Sequence, residues 1–257
     1  MSHPGGEGAH SVATRVFVVL ESCAASPRAL SLVDLVERTG LPKTTLHRLC
    51  WKLVELGMLE HAGGGFRIGT KLFALGSMNT ELRRLRAIAM PQLHGLITRT
   101  GWATNLAVLA DGKALIVEEV YGTSAHDMRR MVGVRLPLHA TAVGKALLCG
   151  LDEDALAELV GDGLQRPFTR NTVVRPNILR EQLATIRQTG VAFSHEEWAL
   201  GTSGVASPVW VGGTVVAAVA VVGPPGPTGM RQCADAVRLA AANVSQALGP
   251  VRAVSAA

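Results

Sequence analysis

Five polar side chains stand close together in the sequence KTTLHR: Lys43, Thr44, Thr45, His47 and Arg48. An arginine at such a place can donate two hydrogen bonds to the edge of a guanine base in the major groove of DNA. A lysine and the free backbone amides of a helix start suit a phosphate group. The alternative is an ordinary amphipathic helix whose first turn is polar. The surrounding elements distinguish these two interpretations.

The residues before this stretch predict two helices and a tight turn. Apolar residues recur at helical spacing over 12–23, which indicates a first helix. Ser31 can cap a second helix that has Asp34 at its third position, and Gly40 supplies its left-handed end. Pro42 then suits the first position of a third helix. Two helices joined by so short a turn form a helix-turn-helix.

The third helix and the segment after it complete a larger motif. The helix is expected to bury one leucine face, formed by Leu46, Leu49, Leu53 and Leu56. The sequence MLEHAGGGFRIG predicts a short hairpin with Gly63–Gly65 at its tip and Arg67 on the return strand. Three helices followed by a basic hairpin form a winged helix-turn-helix. We expect Arg67 and the glycine tip to enter a minor groove, and Ser31 to bind a further phosphate.

The charge distribution agrees with a polyanion partner for the N-terminal part. The first 100 residues contain 12 Lys/Arg and 7 Asp/Glu, whereas the rest of the chain contains 13 of each. A basic module on a neutral body is typical of proteins that bind nucleic acid. The same charge is also ordinary for a soluble protein, so the motif carries the argument.

Composition excludes several other classes of protein. The chain has 257 residues and is 48% hydrophobic, so it can bury a core and is not a disordered chain. We expect a cytoplasmic protein without a membrane span, because the N-terminus lacks a signal layout and Pro208 interrupts the most apolar region. The four cysteines stand far apart, so we expect no metal, no cofactor and no disulfide.

The remaining chain mixes helices and strands. Residues 71–100 are helical in pattern, with Pro91 as an expected interruption and an arginine cluster that is either a solvated face or a polyanion contact. Hairpins are predicted around Asp111-Gly112 and Gly212-Gly213, and a further strand over 128–138. Further helices are predicted over 141–150, 151–160, 177–189 and 230–248. This order favours an α+β fold with an antiparallel sheet covered by helices.

Taken together, these stretches resemble the IclR family of bacterial transcriptional regulators. The resemblance runs from about residue 12 to about residue 248 and includes SLVDLVERTGLPKTTLHRL, FRIG, LPLHATAVGKALL and IRQTGVAFSHEEWALGTSGVASPVW. It implies a winged helix-turn-helix over 11–70, a linker helix over 71–90 and a GAF-like effector-binding domain over 91–250, and residues 1–10 are expected to form a flexible tail. It also implies a homodimer or homotetramer that binds double-stranded operator DNA.

The resemblance places an effector pocket against the sequence PLHATAVGKAL. Thr141 is expected to start a helix whose free amides, near Ala142 to Gly144, receive an anion such as a carboxylate. Gly144 either lets a ligand approach the backbone or only allows tight packing, and Lys145 either assists or points to solvent. The expected effector-binding residues are Met131, Leu138, Thr141, Ala142, Gly144, Ser194, Gly204, Val205, Ala220 and Val222.

Four of these positions depart from the family members that bind small polar acids. Those members tend to carry an aspartate, a cysteine and serines where this chain has Ser194, Gly204, Ala220 and Val222. Each change removes a polar group that would need a partner in a desolvated pocket. We therefore predict a larger, fairly apolar or aromatic effector with at most one anionic end. A pocket that binds nothing is the alternative.

An enzyme with an N-terminal interaction module is the rival hypothesis. It requires converging nucleophilic and acid–base groups, and no such set can be assembled from this sequence. His195, Glu196 and Glu197 are adjacent, so they diverge on any regular element and are assigned structural roles. A third hypothesis makes the C-terminal domain only an oligomerisation platform.

Overall fold

The computed structural model describes residues 11–121, 131–160 and 167–249. The expected flexible tail, residues 1–10, lies outside this part of the chain. The chain divides after Arg83 into two compact units, and this division falls inside the segment predicted as a linker. Among the described residues, no helix combines the length and the hydropathy that a membrane crossing requires.

The N-terminal unit begins with three helices, α1 (Val12–Ala24), α2 (Leu32–Thr39) and α3 (Lys43–Glu55). The predicted cap of α2 is confirmed: the Ser31 hydroxyl accepts from the Asp34 amide, and the Asp34 carboxylate accepts from the Ser31 amide. Gly40 ends α2 in the left-handed conformation with φ 68°, as expected. Pro42 is the residue before α3 and not its first member, a shift of one position.

A two-stranded hairpin, β1 (Leu59–Ala62) and β2 (Gly65–Ile68), follows α3. Its tip is the pair Gly63-Gly64, whereas Gly65 belongs to the second strand. Gly65 has no room for a side chain, because a Cβ there would lie 2.7 Å from the carbonyl oxygen of Leu30. The chain before α2 thus pairs with the hairpin, through the bridge between Leu30 and Phe66.

The buried face of α3 differs in part from the predicted leucine face. Leu46 and Leu53 are buried as expected, and Cys50 lies between them in the same core. Leu49 is half-buried, and Leu56 is 43% exposed because the helix ends before it. The core face is therefore narrower than the leucine pattern suggested.

Two helices follow the hairpin, α4 (Thr70–Ser77) and α5 (Thr80–Thr100). The prediction that Pro91 interrupts the helical segment is wrong, because α5 continues through it. A proline inside a helix costs roughly 3 kcal/mol and removes one backbone hydrogen bond. Residues buried on both sides of the proline offset this cost: Leu85, Ala89, Leu93 and Leu96.

The C-terminal unit is built on one antiparallel sheet with strand order β5-β4-β3-β8-β7-β6. Both predicted hairpins are confirmed, and their turn residues have positive φ: 48° and 66° at Asp111-Gly112, and 57° and 82° at Gly212-Gly213. The strands are β3 (Ala103–Ala110), β4 (Lys113–Val120), β5 (Arg135–Leu136), β6 (Ala192–His195), β7 (Ser203–Val211) and β8 (Thr214–Gly223).

Two strands differ from the sequence expectation. The strand predicted over 128–138 is limited, within the described residues, to Arg135–Leu136, which pair in register with Leu115 and Ala114 of β4. The edge strand β6 was not predicted. It pairs with β7 and opposes Ser194 to Gly204, which brings two expected pocket residues side by side.

The helices α6 (Ala142–Leu148), α8 (Pro176–Thr189) and α9 (Pro227–Leu248) contact this sheet, and α7 (Glu153–Val160) follows α6 along the chain. All seven residues of α6 are buried, and the helix contacts β6, β7 and β8. Its core includes small side chains on one face of the sheet, Ala206, Ala218 and Ala220. Because the strands meeting α6 carry alanines there, a helix can lie close to the sheet.

Candidate functional sites

The exposed face of α3 carries the predicted DNA-contacting side chains. Lys43, Thr44, His47 and Arg48 are exposed, and Thr45 is half-buried. Within the described part of the chain, neither Lys43 nor Arg48 forms an ion pair. Both cations are therefore free to meet an anionic partner.

Two other predicted contacts are already engaged within the N-terminal unit. The Ser31 hydroxyl donates to the Asp34 carboxylate at 2.8 Å while capping α2, so its hydrogen is not available for a phosphate. Arg67 forms a 2.8 Å ion pair with Glu60 across the hairpin. This hydrogen-bonded guanidinium lowers the pKa of Glu60 below its ordinary value. The pair uses only part of the guanidinium, whose side chain is 59% exposed and keeps further N–H donors for a phosphate.

An aromatic cluster that sequence reasoning missed joins α3 to the hairpin. Trp51 lies on the polar side of α3, and its ring centroid is 5.1 Å from that of His61 and 5.8 Å from that of Phe66. The His47 ring lies 6.3 Å from Trp51 on the other side. Aromatic pairs at such distances stabilise their arrangement, so Trp51 positions the hairpin relative to the exposed face of α3.

A cavity opens beside α6 in the C-terminal unit. It contains about 700 Å³ of empty space, part of it open to solvent. Seven of the ten predicted effector-binding residues line it: Met131, Thr141, Ala142, Ser194, Gly204, Ala220 and Val222. The other lining residues are Asn105, Glu119, Leu136, Ala140, Val143, Trp198, Thr202 and Ser203.

Three predicted residues do not line the cavity, each for a physical reason. A Cβ on Gly144 would lie 2.3 Å from the carbonyl oxygen of Leu138, so the glycine makes room for backbone and not for a ligand. Leu138 itself is buried in the core beneath α6. Val205 follows Gly204 on β7 and therefore points to the opposite face of the sheet.

The start of α6 forms one wall of the cavity. The Thr141 hydroxyl accepts from the Gly144 amide at 3.1 Å and donates to the Pro137 carbonyl at 2.8 Å. The Gly144 amide, expected to meet an anion, is therefore occupied. The amides of Ala142 and Val143 have no hydrogen-bond partner among the described residues, as the first amides of a helix normally lack one.

A buried ion pair joins α6 to the segment that follows β6. Lys145 points inward and not to solvent: its side chain is 1% exposed, and its ammonium lies 2.6 Å from the carboxylate of Glu197. It also donates to the Phe193 carbonyl at 3.3 Å. Burial lowers the pKa of Lys145, and the Glu197 carboxylate opposes this effect. Glu197 was assigned a structural role, and its partner, 52 positions away in the sequence, was not foreseen.

The described residues show no metal-binding cluster and no reactive thiol. No three His, Cys, Asp or Glu residues in the described ranges are grouped so that they could hold a metal ion. All four cysteines are free and buried. Burial raises the pKa of Cys149 to about 11, so its thiol stays protonated at neutral pH.

Comparison with known protein families gives one match for each of the two units. The family described as "Bacterial transcriptional regulator IclR C-terminal" matches residues 79–246, and the "IclR helix-turn-helix domain" matches residues 12–63.

The chain belongs to the IclR family.

Its IclR relatives are transcriptional repressors and regulators. The transcriptional repressor IclR of Escherichia coli (strain K12) is 36% identical over 192 residues, which cover 73% of this chain and 70% of that protein. The repressor AllR of Klebsiella pneumoniae is 30% identical over 253 residues, covering 96% and 93%. These relatives carry the names of regulators and not of enzymes, which agrees with the prediction that the chain is not an enzyme.

Solved IclR structures share both parts of the fold. An IclR homologue from Microbacterium hydrocarbonoxydans, in complex with 4-hydroxybenzoate, superposes with a TM-score of 0.82 at 29% identity and covers 93% of this chain and 99% of that one. The Thermotoga maritima IclR gives a TM-score of 0.73 at 25% identity, covering 92% and 98%. The predicted α+β fold, with an N-terminal helix-turn-helix and a C-terminal antiparallel sheet, is confirmed.

Proposed function

We propose that this IclR-family regulator controls a bacterial catabolic or metabolic operon and responds to a fairly apolar or aromatic organic acid. The cavity beside α6 carries this proposal, because it is the place where apolar side chains and free backbone amides meet. The 4-hydroxybenzoate bound by the Microbacterium relative is a molecule of the same chemical class.

The lining of the cavity favours an apolar ligand body. Gly204, Ala220 and Val222 are adjacent on paired strands and offer no side-chain hydrogen bond to a ligand. Trp198 adds an aromatic ring to the same space. Burying an apolar ring against such groups contributes roughly 25 cal/mol per Å² of area removed from water.

One end of the ligand would be anionic. Ala142 and Val143, whose amides have no hydrogen-bond partner among the described residues, line this space at the start of α6, and helix N-termini favour negative charge. A carboxylate placed there would receive both amides, and the ring would lie over the small residues of β7 and β8. Polar acids without a ring would leave that apolar surface uncovered.

The N-terminal unit would bind operator DNA through α3. Lys43 would meet a phosphate, and Thr44, His47 and Arg48 would reach base edges, because the first residues of a recognition helix contact bases in the major groove. Since its DNA target lies in the bacterial cytoplasm, the protein would act there.

The operator-binding form would be a homodimer, or a homotetramer made of two dimers. Phe17 on α1 is 65% exposed, and Phe73 on α4 is 77% exposed. The helix α4 buries none of its eight residues, and so short a helix is unstable alone in water. A second copy covering these side chains would stabilise α4 and place two α3 helices about one DNA turn apart, roughly 34 Å. Effector binding would then change operator affinity by favouring one of two dimer arrangements.

Arg48→Ala tests the DNA-binding part. We expect an operator affinity about 5- to 150-fold lower and a relaxed base preference at one position per half-site, as for the loss of roughly 1–3 kcal/mol of base contact. Lys52→Ala is the matched control, because Lys52 lies on the same helix but is paired with Glu55 at 2.7 Å. Gel shifts with the gene's own upstream region and with random DNA measure the affinities of both variants. If Arg48→Ala and the parent bind the operator and random DNA with equal affinities, Arg48 does not contact DNA.

Calorimetry tests the ligand part. The purified protein is titrated with glyoxylate, pyruvate and a panel of aromatic acids, and the ligands that bind are then added to the gel shift. We expect aromatic acids to bind and to change operator affinity. Binding of only the smallest polar acids contradicts the proposed ligand class, and an operator affinity that stays constant at saturating ligand contradicts the proposed response.

A further inference from the structure

A buried asparagine side chain in the cavity lacks a hydrogen-bond partner. Asn105 on β3 is 5% exposed, and its Oδ1 atom has no partner in the described part of the protein. On the sheet it lies directly between Glu119 on β4 and Ala220 on β8. All three residues line the cavity, so the asparagine amide belongs to the wall that a ligand would touch.

The neighbouring carboxylate offers a second acceptor. One oxygen of Glu119, Oε2, accepts from the Met131 amide at 2.7 Å and from the Tyr121 hydroxyl. Its other oxygen, Oε1, has no hydrogen-bond partner among the described residues. This part of the wall, the Asn105–Glu119 pair, therefore presents two acceptors beside apolar side chains such as Leu136 and Ala220.

A pair of acceptors selects the kind of ligand group that can lie against it. A buried acceptor without a donor loses the hydrogen bond that it had with water, so a ligand that supplies a donor recovers that loss. A second carboxylate would be repelled by Glu119. An ammonium group would bring a full charge out of water into a cavity lined largely by apolar side chains, and this desolvation costs more than that of a neutral hydroxyl. A hydroxyl supplies one donor and can still accept from the asparagine amide.

We propose that the effector carries a hydroxyl group that donates to the Asn105–Glu119 pair, so that the cavity distinguishes hydroxylated compounds from their deoxy analogues. This inference rests on the proposed effector-binding role of the cavity. It adds a specificity-determining pair to that role and assigns it to residues that the sequence pattern did not single out.

Matched ligands test the proposal on the full-length protein. The 2-, 3- and 4-hydroxybenzoates are titrated calorimetrically against benzoate, which lacks the donor, and against the methoxybenzoates, which keep the oxygen but cannot donate. We expect the best hydroxy isomer to bind about 10- to 100-fold more tightly than benzoate and its methoxy analogue, since an unpaired buried acceptor has a cost of that order. The corresponding aminomethylbenzoates test the ammonium alternative.

Two variants identify the residues responsible. Asn105→Leu keeps the shape of the side chain and removes its polar atoms, so we expect the hydroxyl preference to fall at least tenfold. Val222→Ala is the control, because Val222 lines the cavity without a polar group. Shortening this side chain should lower the affinities for the hydroxybenzoate and for benzoate by the same factor. In the absence of ligand, Asn105→Leu should leave the melting temperature unchanged or raise it, since the amide makes no side-chain hydrogen bond in the described structure.

The outcomes separate this inference from the proposed function. Benzoate that binds as tightly as the hydroxybenzoates and still changes operator affinity overturns the hydroxyl requirement and leaves the effector role standing. Tighter binding of the aminomethyl compounds overturns the choice of hydroxyl. A large fall in melting temperature for Asn105→Leu assigns the residue a structural role and overturns its part in specificity. No binding by any aromatic acid overturns both proposals.

Discussion

Replacing Glu197 by glutamine should destabilise the C-terminal unit strongly and in a pH-dependent way. The substitution keeps the size of the side chain but leaves the Lys145 ammonium, 1% exposed, without its carboxylate partner. Removing one member of a buried ion pair typically costs about 3–5 kcal/mol. The Phe193 carbonyl remains as an acceptor at 3.3 Å and compensates only in part.

The cost has an upper limit because Lys145 can lose its proton. At pH 7 that loss costs about 4.6 kcal/mol, since the usual lysine pKa of about 10.4 lies roughly 3.4 above the solution pH. We therefore expect Glu197→Gln to lower the free energy of unfolding by about 3–4.6 kcal/mol at pH 7. Burial already lowers the pKa of Lys145 in the parent, and the missing carboxylate would lower it further.

The pH dependence follows from the direction of this pKa change. Once Lys145 is neutral in the folded variant, the unfolded chain binds one proton more, so stability rises with pH until about 10.4. At the upper limit of about 4.6 kcal/mol, where Lys145 is neutral in the folded variant, the difference in unfolding free energy from the parent should shrink by about 1.4 kcal/mol per pH unit, to about 1.9 kcal/mol at pH 9. The stability of the parent should depend less on pH, because the Glu197 carboxylate favours the charged lysine and opposes the lowering of its pKa by burial.

Urea unfolding of the full chain at pH 7, 8 and 9 measures these differences through tryptophan fluorescence. Glu55→Gln is the matched control: it breaks the exposed pair with Lys52, whose side chains are 66% and 64% accessible, and should cost less than about 0.5 kcal/mol without a slope. Lys145→Met combined with Glu197→Leu should restore most of the stability. A loss below about 1 kcal/mol, or one that is equal at pH 7 and pH 9, would refute the reasoning.

Two further predictions concern packing and acid stability. Gly144→Ala should unfold or severely destabilise the C-terminal unit, because its Cβ would lie 2.3 Å from the Leu138 oxygen. In the control variant Gly95→Ala, in α5, the new Cβ meets no atom within 4 Å, so this variant should be more stable by roughly 0.5–1 kcal/mol. Thermal unfolding compares the two variants. Hydrogen bonds from Arg28 hold the pKa of Asp34 well below its usual range. The stability from Asp34 is thus present above about pH 4 and lost as the pH falls, so unfolding of Asp34→Asn should depend less on pH between 5 and 2.

Local signals in the sequence were sufficient for much of the fold. The cap at Ser31, the left-handed end at Gly40 and the turn at Asp111-Gly112 all appear as expected. Each depends on the φ, ψ or hydrogen bonds of a few neighbouring residues, which the residue types themselves limit. The same reasoning failed at Pro91, because packing on both sides of the proline outweighs its local preference.

The cavity was only partly predictable. Seven lining residues followed from the family resemblance, but Asn105 and Glu119 carry no local signal and meet only because β3 and β4 pair in one register. The ion pair of Lys145 and Glu197 likewise joins distant positions. The glycine at position 144 indicated that another group approaches the backbone there, but only the fold shows that this group is the backbone of Leu138 and not a ligand.

The complete burial of α6 bears on how such a pocket can change during evolution. Every side chain from Ala142 to Leu148 is enclosed, so a substitution in this wall also disturbs the core. The side chains at 194, 220 and 222 belong to strands and face the empty space, where a larger or more polar group can be accommodated. Divergence in ligand preference should therefore accumulate on the sheet, while the sequence of α6 stays nearly constant.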